Sequence, residues 1–151
     1  MIVDFHTHIV PPFLKEHREE YIARDATLAA LFSNPSSPMA TADELVAAMD
    51  AAKVDKAVIL GFGWTDQSLA WQANDYLLES ALRYRGRLIP FCSVNPAWGS
   101  EAISEVERCA DEGAYGIGEL HPDTQGFDLT SPEVMDALME TVRRRRMLLL
   151  T

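Results

Sequence analysis

From Thr41 onward the chain repeats one unit: a helical stretch, a short loop and an apolar strand. The later strands begin at positions 57, 88, 115 and 147, so each unit takes about 30 residues. That length accommodates one strand, one helix and two short loops. Parallel strands need a crossover of a dozen residues or more, and right-handed crossovers lay the helices over the sheet. The spacing therefore predicts an α/β protein with a parallel sheet, either doubly wound or closed into a barrel.

Within this rhythm Lys56–Gly61, Leu88–Val94, Tyr115–Leu120 and Met147–Thr151 read as strands, although Pro90 weakens the second of these. Helices are expected over Asp43–Lys53, Asp66–Tyr84 and Glu101–Glu112. Another runs from a Ser131-Pro132-Glu133 start to Arg146. Thr41 and Glu44 have capping-box spacing. Between the first strand and Thr41 lie two short helical candidates, Phe13–Ile22 and Ala26–Phe32, and a Ser/Pro-rich loop at 33–38. No Gly-x-Gly-x-x-Gly loop follows the first strand, which removes the main signature of a dinucleotide-binding sheet. A long insertion at about 11–40 and chemistry at strand ends favour the barrel.

The chemistry begins in Met1-Ile2-Val3-Asp4-Phe5-His6-Thr7-His8, where Met1–Phe5 reads as a short buried strand. Alternation puts Asp4, His6 and His8 on one face and Val3, Phe5 and Thr7 on the other. Two imidazoles on one face at a strand's carboxyl end can reach a common metal ion. Neutral imidazoles suit zinc, manganese, iron or nickel, with zinc the leading expectation. Glu119 ends the fourth strand in an apolar, glycine-rich setting where a lone carboxylate is costly to bury. It is the expected partner of His6 and His8, completing the site or bridging two ions. His121, two residues on, is a candidate catalytic residue, substrate contact or ligand. Asp4 is either an orienter of a ligand or a loop-base acid. His17 lies among charged residues and is expected at the surface. Trp64 and Trp98 are placed to wall a pocket or to pack against helices, and Asn95-Pro96 reads as a turn.

Composition narrows the partners. With 13 Lys plus Arg against 23 Asp plus Glu, the formal net charge is −10. Such a surface disfavours nucleic acid and anionic membranes as partners, leaving a small-molecule substrate and a possible homo-oligomer. The run Arg143–Arg146 closes a helix, where positive charge complements the helix dipole. Two cysteines without metal-type spacing, no leader-like start and no apolar run near twenty residues point to a cytoplasmic protein.

The stretches Asp4-Phe5-His6-Thr7-His8-Ile9-Val10-Pro11 and Gly116-Ile117-Gly118-Glu119-Leu120-His121-Pro122 resemble the amidohydrolase superfamily, in particular its "amidohydrolase 2" branch. The likeness covers essentially the whole chain. It implies a (β/α)8 TIM barrel with one or two divalent ions, His6 and His8 matching the first two ligands and Glu119 a fourth-strand carboxylate. It also implies histidines after strands five and six and an aspartate after strand eight, which would lie beyond Thr151. A complete barrel takes about 250 residues. Residues 1–151 are therefore expected to form the N-terminal part of a single barrel domain: four βα units and strand five. The expected activity is hydrolysis of a small organic substrate by a metal-activated water. Decarboxylation on the same barrel is the alternative, and a non-catalytic half-barrel scaffold the third reading.

Overall fold

Five strands run parallel in the computed structural model, which describes all residues 1–151. They are β1 (Val3–His8), β2 (Lys56–Leu60), β3 (Leu88–Cys92), β4 (Gly116–Ile117) and β5 (Leu148–Leu149), and their order in the sheet is their order in the chain. A doubly wound sheet reverses direction at a switch point, whereas a barrel adds each strand beside the last. The observed order has no reversal and describes a half-barrel. Residues beyond 117 and 149 continue as irregular chain, so β4 and β5 are shorter than their apolar runs predict.

Helices α4 (Ala42–Ala52), α5 (Gln67–Arg83), α6 (Ser100–Asp111) and α8 (Pro132–Arg145) supply the crossovers. Their apolar stripes cover the outer face of the sheet. Ala42, Met49 and Leu77 pack on Ala57, Ile59 and Leu88, while Ala102, Val106, Leu138 and Val142 pack on Ile117. The inner face carries Val58, Leu60 and Phe91. Gly116 admits the Phe91 ring there, since a Cβ at Gly116 would lie 2.4–2.7 Å from it.

Local sequence chemistry explains several helix starts. Thr41 and Glu44 form the expected capping box, and Asp66 caps α5 through the Leu69 amide. Ser131 stands at the expected cap position but makes no side-chain cap; its backbone carbonyl accepts from Val134 N and Met135 N, and Pro132 and Glu133 occupy the first turn. The arginine run does more than face a dipole. Arg144 pairs with Glu107, and Arg145 with Glu107 and Asp111, so α8 is clamped to α6.

The insertion holds α1 (Pro12–Glu16), α2 (Arg18–Arg24) and α3 (Ala26–Phe32). The single helix expected over Phe13–Ile22 is broken at His17, whose φ of −112° and ψ of 36° lie outside the helical region. The break lets the Arg18 guanidinium donate to the carbonyls of Phe32, Asn34 and Ser37, which have no strand or helix partners. Asp25 is buried and serves two ends at once. It accepts from Leu28 N at the start of α3 and from Thr65 N and Asp66 N in the loop after β2. The insertion is thereby tied to the carboxyl ends of the strands. No helix is long and apolar enough to cross a membrane.

Candidate metal centre

The first strand differs from its expected form in two ways. It is an edge strand whose first four residues are exposed, because only β2 pairs with it. Its alternation is also interrupted. Asp4 pairs with Ala57 and Thr7 with Ile59, so Phe5 and His6 together oppose Val58. One strand having two residues where its partner has one is a β-bulge, which re-aims side chains. Phe5 consequently meets Phe91 edge-on at 6.1 Å on the inner face, instead of sharing an outer face with Thr7. His6 and His8 stay together, with Nε2 atoms 3.0 Å apart. Asp4 is exposed and accepts the His6 backbone N–H, so its carboxylate touches neither imidazole.

Glu119 reaches this pair from the chain that follows β4. Its Oε2 lies 3.3 Å from His6 Nε2, 3.5 Å from His8 Nε2 and 3.4 Å from His121 Nε2. Strand parity placed Glu119 with Ile117, but Ile117 packs outward beneath α6 and α8. The intervening backbone explains the change. Gly118 has φ of +140°, a region L side chains rarely adopt, and a Cβ there would lie 2.6 Å from the Leu150 carbonyl oxygen. Beyond Gly118 the chain leaves the strand path and crosses over the end of β3. Gly61 N donates to Gly118 O at 3.1 Å, and Glu119 N donates to Gly61 O at 2.9 Å. The carboxyl ends of β2 and β4 thus meet directly, which brings Glu119 over the histidines.

A polar network beneath β3 holds this crossing. Asn74 of α5 donates to Ser93 O at 3.0 Å and accepts from Ser93 N at 2.9 Å, as a neighbouring strand would. Ser93 Oγ donates to Glu119 O at 3.3 Å. Asn74 also donates to the buried Glu105 at 2.9 Å, and Glu105 pairs with Arg108 at 2.7 Å.

His8 is half-buried, whereas His6 is exposed. Its ring stacks on Phe62 with centroids 4.5 Å apart and planes 12° from parallel, and Phe32 meets Phe62 edge-on. Burial pushes the His8 imidazole down from 6.5 to about 4, and His6 adds to this, while Glu119 opposes it. His8 is therefore neutral near pH 7 with a lone pair to offer. The unfolded chain takes up this proton below about pH 6.5, whereas the folded chain resists until about pH 4. Metal-free stability should fall by about 3 kcal/mol over that interval on this account. Urea melts at about pH 7 and about pH 4.5 on the wild type and His8→Gln measure it. Equal pH slopes in the two proteins would refute the assignment.

The remaining candidates separate clearly. His17 is exposed and distant in role, as its charged neighbours predicted. Trp64 is fully buried among Val10, Leu14, Leu28 and Phe62, and Trp98 packs on Trp71 at 5.3 Å. Both indoles take the packing role. Asn95 caps the 3₁₀ turn Pro96–Trp98 through Ala97 N, which is the expected turn chemistry. Phe62, Asn74, Ser93 and Gln125 also serve the site without belonging to any motif. Asn74 had left a signal, since it lies in the buried stripe of α5 beside Ala70, Ala73, Leu77 and Leu78. His6, His8 and Glu119 form a group whose potential ligand atoms all lie within 4.8 Å of one another.

A parallel half-barrel with a His/His/carboxylate cluster at its carboxyl end defines a class of barrel protein. The amidohydrolase family model matches residues 3–147, and the chain belongs to that family. No curated protein sequence matches the chain. Among solved structures it is similar to a 5-carboxyvanillate decarboxylase from Novosphingobium aromaticivorans with bound manganese. That likeness has a TM-score of 0.80 at 21% identity, covering 99% of this chain and 49% of that one. It is also similar to a 4-oxalomesaconate hydratase from Rhodopseudomonas palustris, with a TM-score of 0.68 at 20% identity over 99% and 51% of the two chains. A probable 2-pyrone-4,6-dicarboxylic acid hydrolase from Acinetobacter baumannii gives 0.59 at 14% over 98% and 48%. At these identities the likeness establishes the fold, and the chain spans about half the length of these relatives.

Proposed function

We propose that His6, His8 and Glu119 hold a divalent metal ion, and that the chain contributes this centre to an enzyme hydrolysing a small organic substrate. The spacing of the donor atoms carries the proposal. Two atoms each about 2.1 Å from one ion stand roughly 3–3.5 Å apart at tetrahedral or octahedral angles. The three separations here are 3.0, 3.3 and 3.5 Å. Two imidazoles and a carboxylate suit zinc or manganese alike. Manganese gains support from the metal bound in the decarboxylase of the same fold.

A bound ion would supply Lewis acidity and a water acidified to roughly pKa 7. The protein's part is binding, orientation and proton handling. His8, neutral and fixed against Phe62, offers a nitrogen without losing a proton. Glu119 contributes the negative charge that offsets part of a dication. His121 Nε2, beside the same carboxylate, is placed to take or return a proton as bonds rearrange. Phe62 and Phe32 keep one side of the site apolar.

Decarboxylation is the second reading, favoured by the 0.80 TM-score to the manganese-bound decarboxylase. Product analysis separates the two. The manganese-loaded protein is incubated with a panel of lactones, amides and hydroxybenzoic acids, and oxygen-18 from labelled water is followed. Label in the product without carbon dioxide release is expected. Carbon dioxide release without label incorporation would replace hydrolysis by decarboxylation, and binding of neither manganese nor zinc would remove both readings.

A further inference from the structure

Gln125, at the end of the four-residue helix α7 (Pro122–Gln125), stands where three loops meet. It is only 6% exposed. Its Nε2 donates to the Trp64 carbonyl at 3.0 Å, after β2, and to the Val94 carbonyl at 3.1 Å, after β3. Its Oε1 accepts from the His121 N–H at 2.9 Å, after β4. Both amide hydrogens and the carbonyl oxygen are thus engaged. The backbone closes the clasp, because Gln125 N donates to His121 O at 2.8 Å and Asn95 Nδ2 donates to Gln125 O at 3.0 Å.

One turn of helix has no stability of its own, so α7 depends on these bonds to hold its shape. The other side of His121 is closed by Gly63. A Cβ at Gly63 would lie 2.7–2.9 Å from the Cβ, N and Cγ of His121. His121 is held between the glycine of one loop and the carboxamide that ties all three.

We propose that Gln125 is a positioning residue: it sets His121 against the Glu119 carboxylate by tying together the loops that follow β2, β3 and β4. The proposal rests on the reading above for what His121 does, and on geometry alone for where His121 sits. Its test therefore begins without metal.

In the metal-free wild type, the His121 amide should exchange slowly with solvent, and its ring protons should show nuclear Overhauser contacts to the Gly63 α-protons. In Gln125→Met, of similar size but without donors, those contacts should vanish and His121 amide exchange should quicken about tenfold or more. Turnover of the manganese-loaded protein should drop about 10- to 100-fold. A residue that only packs would lower the melting temperature and leave the His121–Gly63 contacts in place, and that result would overturn the proposal. If Gln125→Met does not fold, the wild-type exchange rate decides, with fast exchange of the His121 amide counting against the clasp. Failure of the wild type to bind either manganese or zinc would sink the proposed function and leave this test standing.

Discussion

Replacing His6 and His8 together by alanine should abolish divalent-metal binding and turnover while leaving the protein folded. His6 is exposed, so its loss removes little packing. Truncating His8 forfeits its stack on Phe62, worth about 0.5–1.5 kcal/mol beyond area. It also removes a buried Nδ1 that has no well-formed hydrogen bond. The fold should tolerate this exchange. The metal centre should not, since two of its three converging donors are gone. Loss of one supporting group around a metal costs about 10- to 100-fold in affinity, so loss of two ligands should exceed that range. Calorimetric titration with manganese, alongside circular dichroism, measures both effects. Wild-type affinity in the double variant would discard the proposed centre.

Asn74→Ala should act on stability and on the site at once. Ser93 N and O each lose their partner, and Glu105 loses a donor, all in a buried setting. A stranded buried polar group costs about 1–3 kcal/mol, so a combined loss of about 3 kcal/mol or more is expected. Glu105 retains Arg108, whose guanidinium its hydrogen bonds push further up, so the carboxylate is not left without a counter-charge. Ser93 also carries the hydroxyl that holds the Glu119 carbonyl. Manganese affinity should consequently fall together with the urea midpoint. A variant that loses stability but binds manganese as the wild type does would show that Ser93 has no part in placing Glu119.

The sequence disclosed the architecture because the architecture is built from local rules. A unit of about 30 residues leaves room for a strand and a returning helix and little else, which makes the sheet parallel. Capping at Thr41 and Asp66 and a glycine with positive φ soon after α5 and α6 mark several helix limits within a residue or two. His-x-His survives as a pair because residues two apart on a strand keep one face even beside a bulge. The failures lie where non-local contacts override alternation. The burial expected of β1 requires a neighbour on both sides, and this chain gives it one. Parity carried Glu119 to the correct end of the sheet by a path the backbone does not take. Gln125 lies in a polar stretch with no periodic signal, so nothing in the sequence marked it as buried.

The class of fold, the histidine pair and the carboxylate that answers it can all be read from the order of residues. Those follow from spacing, side-chain alternation and the cost of a carboxylate among apolar residues, all of which act over a few residues. Tertiary structure alone decided that the pair and the carboxylate face each other. The bulge at Phe5–His6 turns the first strand's histidines, and Gly118 carries Glu119 across the end of β3 to hydrogen-bond with Gly61. Both depend on contacts between residues more than fifty positions apart in the chain, a separation that no local pattern encodes.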